Sequence, residues 1–156
     1  MAFPNVFPQV ASSIVQGTTT NDNAAAGIVG EYLTASAVAT TVNLTTATPA
    51  NGITLSLTAG DWDVQGIGVF QTAATTSVTG TQVGLSTTTA TFGADGSYTR
   101  DNFAAVVPGA IEWRDSSTPV MRISLATTTT VYLVVQSTFT VSTQTAGGVI
   151  RARRVR

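Results

Sequence analysis

The 156-residue chain contains no cysteine, no histidine and no lysine, so all seven of its basic residues are arginine. Without cysteine there is no disulfide, no thiolate nucleophile and no cysteine-bound metal, and redox compartment cannot be read. Without histidine the commonest general base near neutral pH is missing, and a Ser–His–Asp arrangement is impossible. Without lysine a phosphate-binding P-loop cannot be completed. Charge of either sign is scarce, at 10% of residues, against about 25% in an average soluble protein. The net charge of −1 supplies no general attraction to nucleic acid or to an anionic membrane. No apolar run approaches the ~20 residues of a helical membrane span. The opening Met1-Ala2-Phe3-Pro4 lacks the basic start and apolar stretch of an export leader, so secretion is not expected. These absences predict a protein that is not an enzyme, carries no cofactor or metal, and has neither nucleic acid nor membrane as partner.

Threonine fills the space that charge leaves, at roughly one residue in five, a β-branched and polar residue suited to the exposed face of a strand. From Gly30 onward, short stretches of period 2 alternate with turn signals. Ile53, Leu55 and Leu57 interleave with Thr54, Ser56 and Thr58, between Asn51-Gly52 and Ala59-Gly60-Asp61, as a half-buried strand between turns requires. Strands are also predicted at 32–37, 41–45, 62–71, 78–85, 111–114, 120–125, 129–140 and 149–155. The stretch from Phe92 to Gly109 reads as loop. Val131-Tyr132-Leu133-Val134-Val135 is apolar on both faces, which predicts a central strand covered twice. Gly66 and Gly68, and likewise Gly80 and Gly84, mark places where a backbone or a bulky ring approaches closely. No helical pattern and no alternating βα units occur. The expected fold is all-β, an antiparallel jelly roll or β-sandwich of about eight strands.

Residues 1–29 differ. Phe3-Pro4 and Phe7-Pro8 fix the backbone and remove donors, which predicts an extended N-terminal arm. Its apolar residues Phe3, Val6, Phe7, Val10 and Ile14 have little use in a solvated tail. They predict an arm that docks on a sister subunit or a larger assembly. Residues 30–156 form the head.

Three constellations are candidates for chemistry or recognition. Asp61 and Asp63 flank Trp62 and suggest a glycosidase pair. A turn aspartate and a polar-face aspartate beside a core Trp explains them more simply. Glu112-Trp113-Arg114-Asp115 reads as a local ion pair beside a half-buried Trp. Arg151, Arg153, Arg154 and Arg156 crowd the last six positions. As a strand this segment sends Arg151, Arg153 and Val155 one way and Ile150, Ala152, Arg154 and Arg156 the other. Arginine on both faces predicts subunit contacts, with carboxylates supplied by neighbours. Tyr98, Phe103 and Trp113 are candidates for surface ligand loops.

Taken as an ordered set, Gly30-Glu31-Tyr32, residues 57–64 (Leu-Thr-Ala-Gly-Asp-Trp-Asp-Val), residues 122–125 (Arg-Ile-Ser-Leu), residues 128–134 and the ending 150–156 (Ile-Arg-Ala-Arg-Arg-Val-Arg) resemble a family of small bacteriophage and prophage virion proteins. The resemblance spans about residues 30–156. It implies a jelly-roll head, often a homotrimer, with itself and a major capsid or other virion protein as partners. The implied location is the virion, assembled in the bacterial host cytoplasm. A head with a short arm and no shaft repeat points first to a capsid decoration (cement) or head-fibre protein. A receptor-binding head at a tail-fibre tip, with a host glycan as ligand, comes second.

Overall fold

A computed structural model describes residue 20 and residues 22–156. The docking-arm residues Phe3, Val6, Phe7, Val10 and Ile14 lie outside these residues. Nine strands occur among the described residues: β1 (Tyr32–Asn43), β2 (Ala50–Leu57), β3 (Gly60–Thr72), β4 (Ser77–Ser86), β5 (Tyr98–Val106), β6 (Glu112–Ser117), β7 (Met121–Leu125), β8 (Thr129–Thr140) and β9 (Gln144–Arg154). They form two antiparallel sheets. The first runs β1-β9-β3 and then β6, with β7 also paired to β3; the second runs β2-β8-β4-β5.

β6 and β7 share one lane along β3. β6 pairs with Ile67–Thr72 and β7 with Gly60–Val64. Thr118 bridges the break: its N–H donates to the Gly66 carbonyl, and its Oγ1 accepts from the Gly66 N–H at 2.9 Å. Pro119 follows, where its missing donor costs no ladder bond. Each sheet therefore has four lanes. Successive strands switch sheets except at β4–β5 and β6–β7, which is the double Greek key of a jelly roll.

Alternation builds the core. Trp62, Val64 and Phe70 of β3 and Ile150 and Ala152 of β9 are buried against Leu57, Val83, Leu85, Val131, Leu133 and Val135 of the other sheet. Gly66 and Gly68 sit among them. A Cβ on Gly66 would stand 2.4 Å from Leu133 Cδ1, and one on Gly68 2.6 Å from Val83 Cγ2. The close approach expected at these glycines thus comes from branched aliphatic side chains across the sandwich. At Gly84 an aromatic ring is involved: a Cβ there would meet Phe92 at 2.9 Å.

β8 lies between β2 and β4 and is covered twice, as its composition predicts. Val131, Leu133 and Val135 face the core, while Val134, fully buried, stands in register with Asn51 and Gly84 on the other face. The second cover is the loop after β4. Asn51 holds it by donating to Thr89 Oγ1 and accepting from the Ala90 N–H, each at 2.7 Å.

Several boundaries differ from expectation: β2 reaches back through the expected turn at Asn51-Gly52 to Ala50, and β6 runs on to Ser117. The strands predicted at 32–37 and 41–45 are one strand, β1, with a register shift between Ala37 and Val42. The final strand begins at Gln144 rather than 149, because Thr145 and Ala146 pair with both β1 and β3. β5 lies within the stretch read as loop. It is an edge strand with mostly exposed side chains, so no hydrophobic alternation marks it.

Candidate functional site

The C-terminal arginines divide into two pairs. Arg154 turns inward and is 4% exposed. Its Nε donates to Glu31 Oε2 at 2.8 Å, its Nη1 to the Ala59 carbonyl at 2.8 Å, and its Nη2 to Thr58 Oγ1. Its guanidinium lies 4.2 Å over the Trp62 ring centroid. Trp62 in turn donates from Nε1 to the Thr58 carbonyl. Burial opposes the Glu31 charge, but the Arg154 hydrogen bond, the Gly27 N–H and the guanidinium field together hold its carboxyl below the ordinary range. Arg156 pairs with Asp61 of the same chain at 2.7 Å. The structure thus differs from the expectation of neighbour-supplied partners at Arg154 and Arg156, whose carboxylates are intramolecular. The reason was within the alternation itself: Arg154 shares a face with Ile150 and Ala152, and that face is the core.

The same cluster roots the chain entering the head. Asn23 and Tyr32 exchange two hydrogen bonds, Gly27 N–H donates to Glu31, and Gly30 N–H donates to the Arg154 carbonyl. Bonds from residues 23 and 27 therefore cross the arm–head boundary expected at residue 29.

Arg151 and Arg153 are exposed and make no ion pair among the described residues. They lie on the outer face of the first sheet. Register places Thr34, Arg151 and Gln65 in one row and Tyr32, Arg153, Asp63 and Arg122 in the next. The neighbouring row holds Ser36, Val149, Ile67 and Ser117. Ile67, Val69 and Val149 are partly exposed there. Val38 at 70%, Trp113 at 56% and Val120 at 61% exposure extend the apolar surface. Asp115, in register with Val69, is an exposed carboxylate without an ion pair among the described residues.

Asp61 and Asp63 sit on this face, with Trp62 pointing into the core, as the simpler reading expects. A Ser124 hydrogen bond, then Arg156 and Arg122, hold the Asp61 carboxyl below its ordinary value. A glycosidase acid needs a raised value. Asp63 accepts from Arg122 Nε at 2.7 Å, which pushes the Arg122 guanidinium further up. Among the described residues no group of three His, Cys, Asp or Glu is placed to hold a metal ion. No helix there is long and apolar enough to cross a membrane.

The aromatic candidates separate. Glu112 and Arg114 form the expected ion pair at 3.1 Å, but Trp113 is more exposed than half-buried and lies on β6 rather than a loop. Phe103 packs against the core beneath Arg114, 4.6 Å away. Tyr98 opens β5 in the other sheet, edge-on to Phe92 at 5.5 Å. Its hydroxyl donates to Asp95, and that bond, followed by burial, raises the phenol above its ordinary value. Between the 87–97 loop and β7 lies a cleft of about 680 Å³, lined by Leu85, Phe92, Met121 and Ile123, by several Ser and Thr residues, and by the charged Asp95 and Arg122.

The fold and these surfaces define a jelly-roll domain with apolar and arginine-bearing outer faces. No family model matches the chain, and no curated protein matches it. A solved structure of infectious bursal disease virus, Gx strain, is similar to it at a TM-score of 0.41 and 12% identity, covering 78% of this chain and 33% of that chain. The chain thus spans about a third of the length of the chain it matches. The likeness is loose, and the jelly-roll assignment stands on the strand order.

Proposed function

We propose that this chain is a structural protein on the surface of a bacteriophage particle, a capsid decoration (cement) or head-fibre protein that binds the assembled shell as a homotrimer. The observation that carries the reading is the outer face of the first sheet. Val38, Ile67, Val69, Trp113, Val120 and Val149 leave apolar surface open beside Arg151 and Arg153, whose charges have no partner within the described chain. Exposed apolar side chains gathered on one sheet face suit an interaction site. Arginine beside it suits carboxylates of a neighbour, and Asp115 of another copy is one such group. The ordered resemblance across residues 30–156 supports the virion setting.

The role is mechanical and involves no turnover. A protein that binds the assembled shell better than its parts stabilises the shell by mass action. Three copies on one trimer make weak arm contacts additive. Deleting residues 1–21, which keeps Asn23 and its bonds to Tyr32, should leave a folded trimer by light scattering. The same protein should no longer co-sediment with purified particles that lack it. Undiminished co-sedimentation of the truncated protein would remove the anchoring arm from the proposal.

A second reading, a receptor-binding head at a tail-fibre tip, draws on the cleft between the 87–97 loop and β7. Its apolar floor and its polar residues Asp95 and Arg122 suit a host ligand. Adsorption of the isolated head to host cells would favour it.

A further inference from the structure

The outer face of the second sheet carries a feature that shell binding does not use. Register sets Gln136, Gln82 and Arg100 in one row across β8, β4 and β5, and Thr138, Gly80 and Asn102 in the next. Gly80 has no side chain, so the second row dips at its centre and leaves a depression of about 190 Å³. On the β5 side Asn102 borders Gly80 closely: a Cβ on Gly80 would stand 2.9 Å from Asn102 Oδ1 and 3.0 Å from the Asp101 carbonyl.

The rim is polar and largely unspent. Gln82 is 9% exposed. Its Oε1 accepts from Arg100 Nε at 3.3 Å, while its Nε2 has no partner among the described residues. That amide nitrogen keeps solvent access, so its donors remain available to a ligand. The side-chain amides of Gln136 and Asn102 also lack partners among the described residues. Arg100 gives one weak bond to Gln82 and one at 3.3 Å to the Tyr98 hydroxyl, and lies 5.3 Å over the Tyr98 ring. The ring holds the guanidinium plane while leaving Nη1 free.

We infer that this depression is a binding site for an acidic saccharide. Each amide both donates and accepts, which matches hydroxyl groups that do the same. Arg100 is the charged side chain lining the depression, and its planar fork fits a carboxylate. The depression is shallow and sized for one sugar unit rather than a chain, so single-site affinity is weak and several copies are needed for firm attachment. The site lies on the sheet opposite Arg151 and Arg153. A head whose first sheet meets neighbouring copies keeps it open to solvent, and the inference stands independently of that contact.

Saturation-transfer NMR on the full chain, with glucuronic acid, N-acetylneuraminic acid and glucose at millimolar concentration, tests it. Both acids should receive transfer, and glucose much less. Arg100→Ala should weaken binding of the acids about tenfold or more, the worth of a hydrogen bond to a charged group. Gln136→Ala should weaken all three sugars. Both side chains stand at the surface, and an unchanged melting temperature verifies that the variants fold. Absence of transfer from either acid, or transfer that survives both substitutions, overturns the site. Equal transfer from glucose overturns its acidic preference.

Discussion

Glu31 and Arg154 lie 123 residues apart in sequence and meet as a buried ion pair, with side chains 6% and 5% exposed. Removing charge from water is costly, and such a pair roughly breaks even only when its remaining donors are satisfied. Here each guanidinium nitrogen has an acceptor, in Glu31, Ala59 and Thr58, and the plane lies over the face of Trp62. Breaking one half leaves a buried guanidinium without its counter-charge. Glu31→Gln should therefore lower unfolding free energy by about 3–5 kcal/mol, measured by urea denaturation at neutral pH. The double variant Glu31→Met with Arg154→Met should cost less than either single change. The same pair predicts a pH dependence. The folded Glu31 value lies below the unfolded one, so its contribution is complete above the ordinary carboxylate range near 4.5. It is lost as pH falls through the lower folded value. The gap in urea midpoint between wild type and Glu31→Gln should narrow on acidification below that range, and a constant gap would contradict the pairing.

At the scale of elements, alternation was readable wherever one face of a strand is buried and the other wet. β2 and β3 declare themselves in this way, while β8 does so by a run apolar on both faces and matches its expected bounds at both ends. β5 does not, because it closes an edge and keeps most of its side chains in solvent. Its place is set by backbone pairing with β4 and by Thr99 Oγ1 donating to the Ser117 carbonyl on the facing sheet, contacts that leave no hydrophobic signature. The turn between β8 and β9 holds a second hidden feature. Val141 has φ of 81° and is 84% exposed, a left-handed backbone that a β-branched residue adopts at a cost of about 1–2 kcal/mol. Val141→Gly should raise stability by roughly 1 kcal/mol, less what glycine loses in unfolded-state entropy. A thermal melt reads this directly, and a fall in midpoint would mean that the valine side chain contributes packing that outweighs the strain.

For the whole molecule the question is which surface meets a partner. The first sheet places Arg151 and Arg153, without an ion pair among the described residues, beside Ile67 and Val149. The second places amides and Arg100 around Gly80. A single protomer can thus face a neighbour with one side and solvent with the other. Arg151→Glu with Arg153→Glu should leave the melting temperature within a degree or two, as exposed charges contribute little to folding. Light scattering should show the oligomer dissociating into monomers, and an intact oligomer would move the interface elsewhere. The candidate site was only partly legible beforehand. The density of arginine at the end of the chain singles out Arg151, Arg153, Arg154 and Arg156 alike as candidate contact residues. That density does not separate Arg154 from the others, although its parity with Ile150 and Ala152 marks it as inward. The Gln82–Arg100–Gln136 row was not anticipated, because its members come from three strands and 55 sequence positions, joined by cross-strand register alone.

The order of residues by itself determined the all-β class, the strand faces and the absence of histidine, cysteine and lysine chemistry. Those properties are local: period 2 is written into each segment, and a missing residue type is missing in any conformation. Tertiary structure alone decided that Arg154 belongs to the interior, that two strand fragments share one lane beside β3, and that Gly80 floors a polar depression. Each of these depends on which strand lies beside which. That choice is made by burial summed over both sheets, a quantity that no single segment contains.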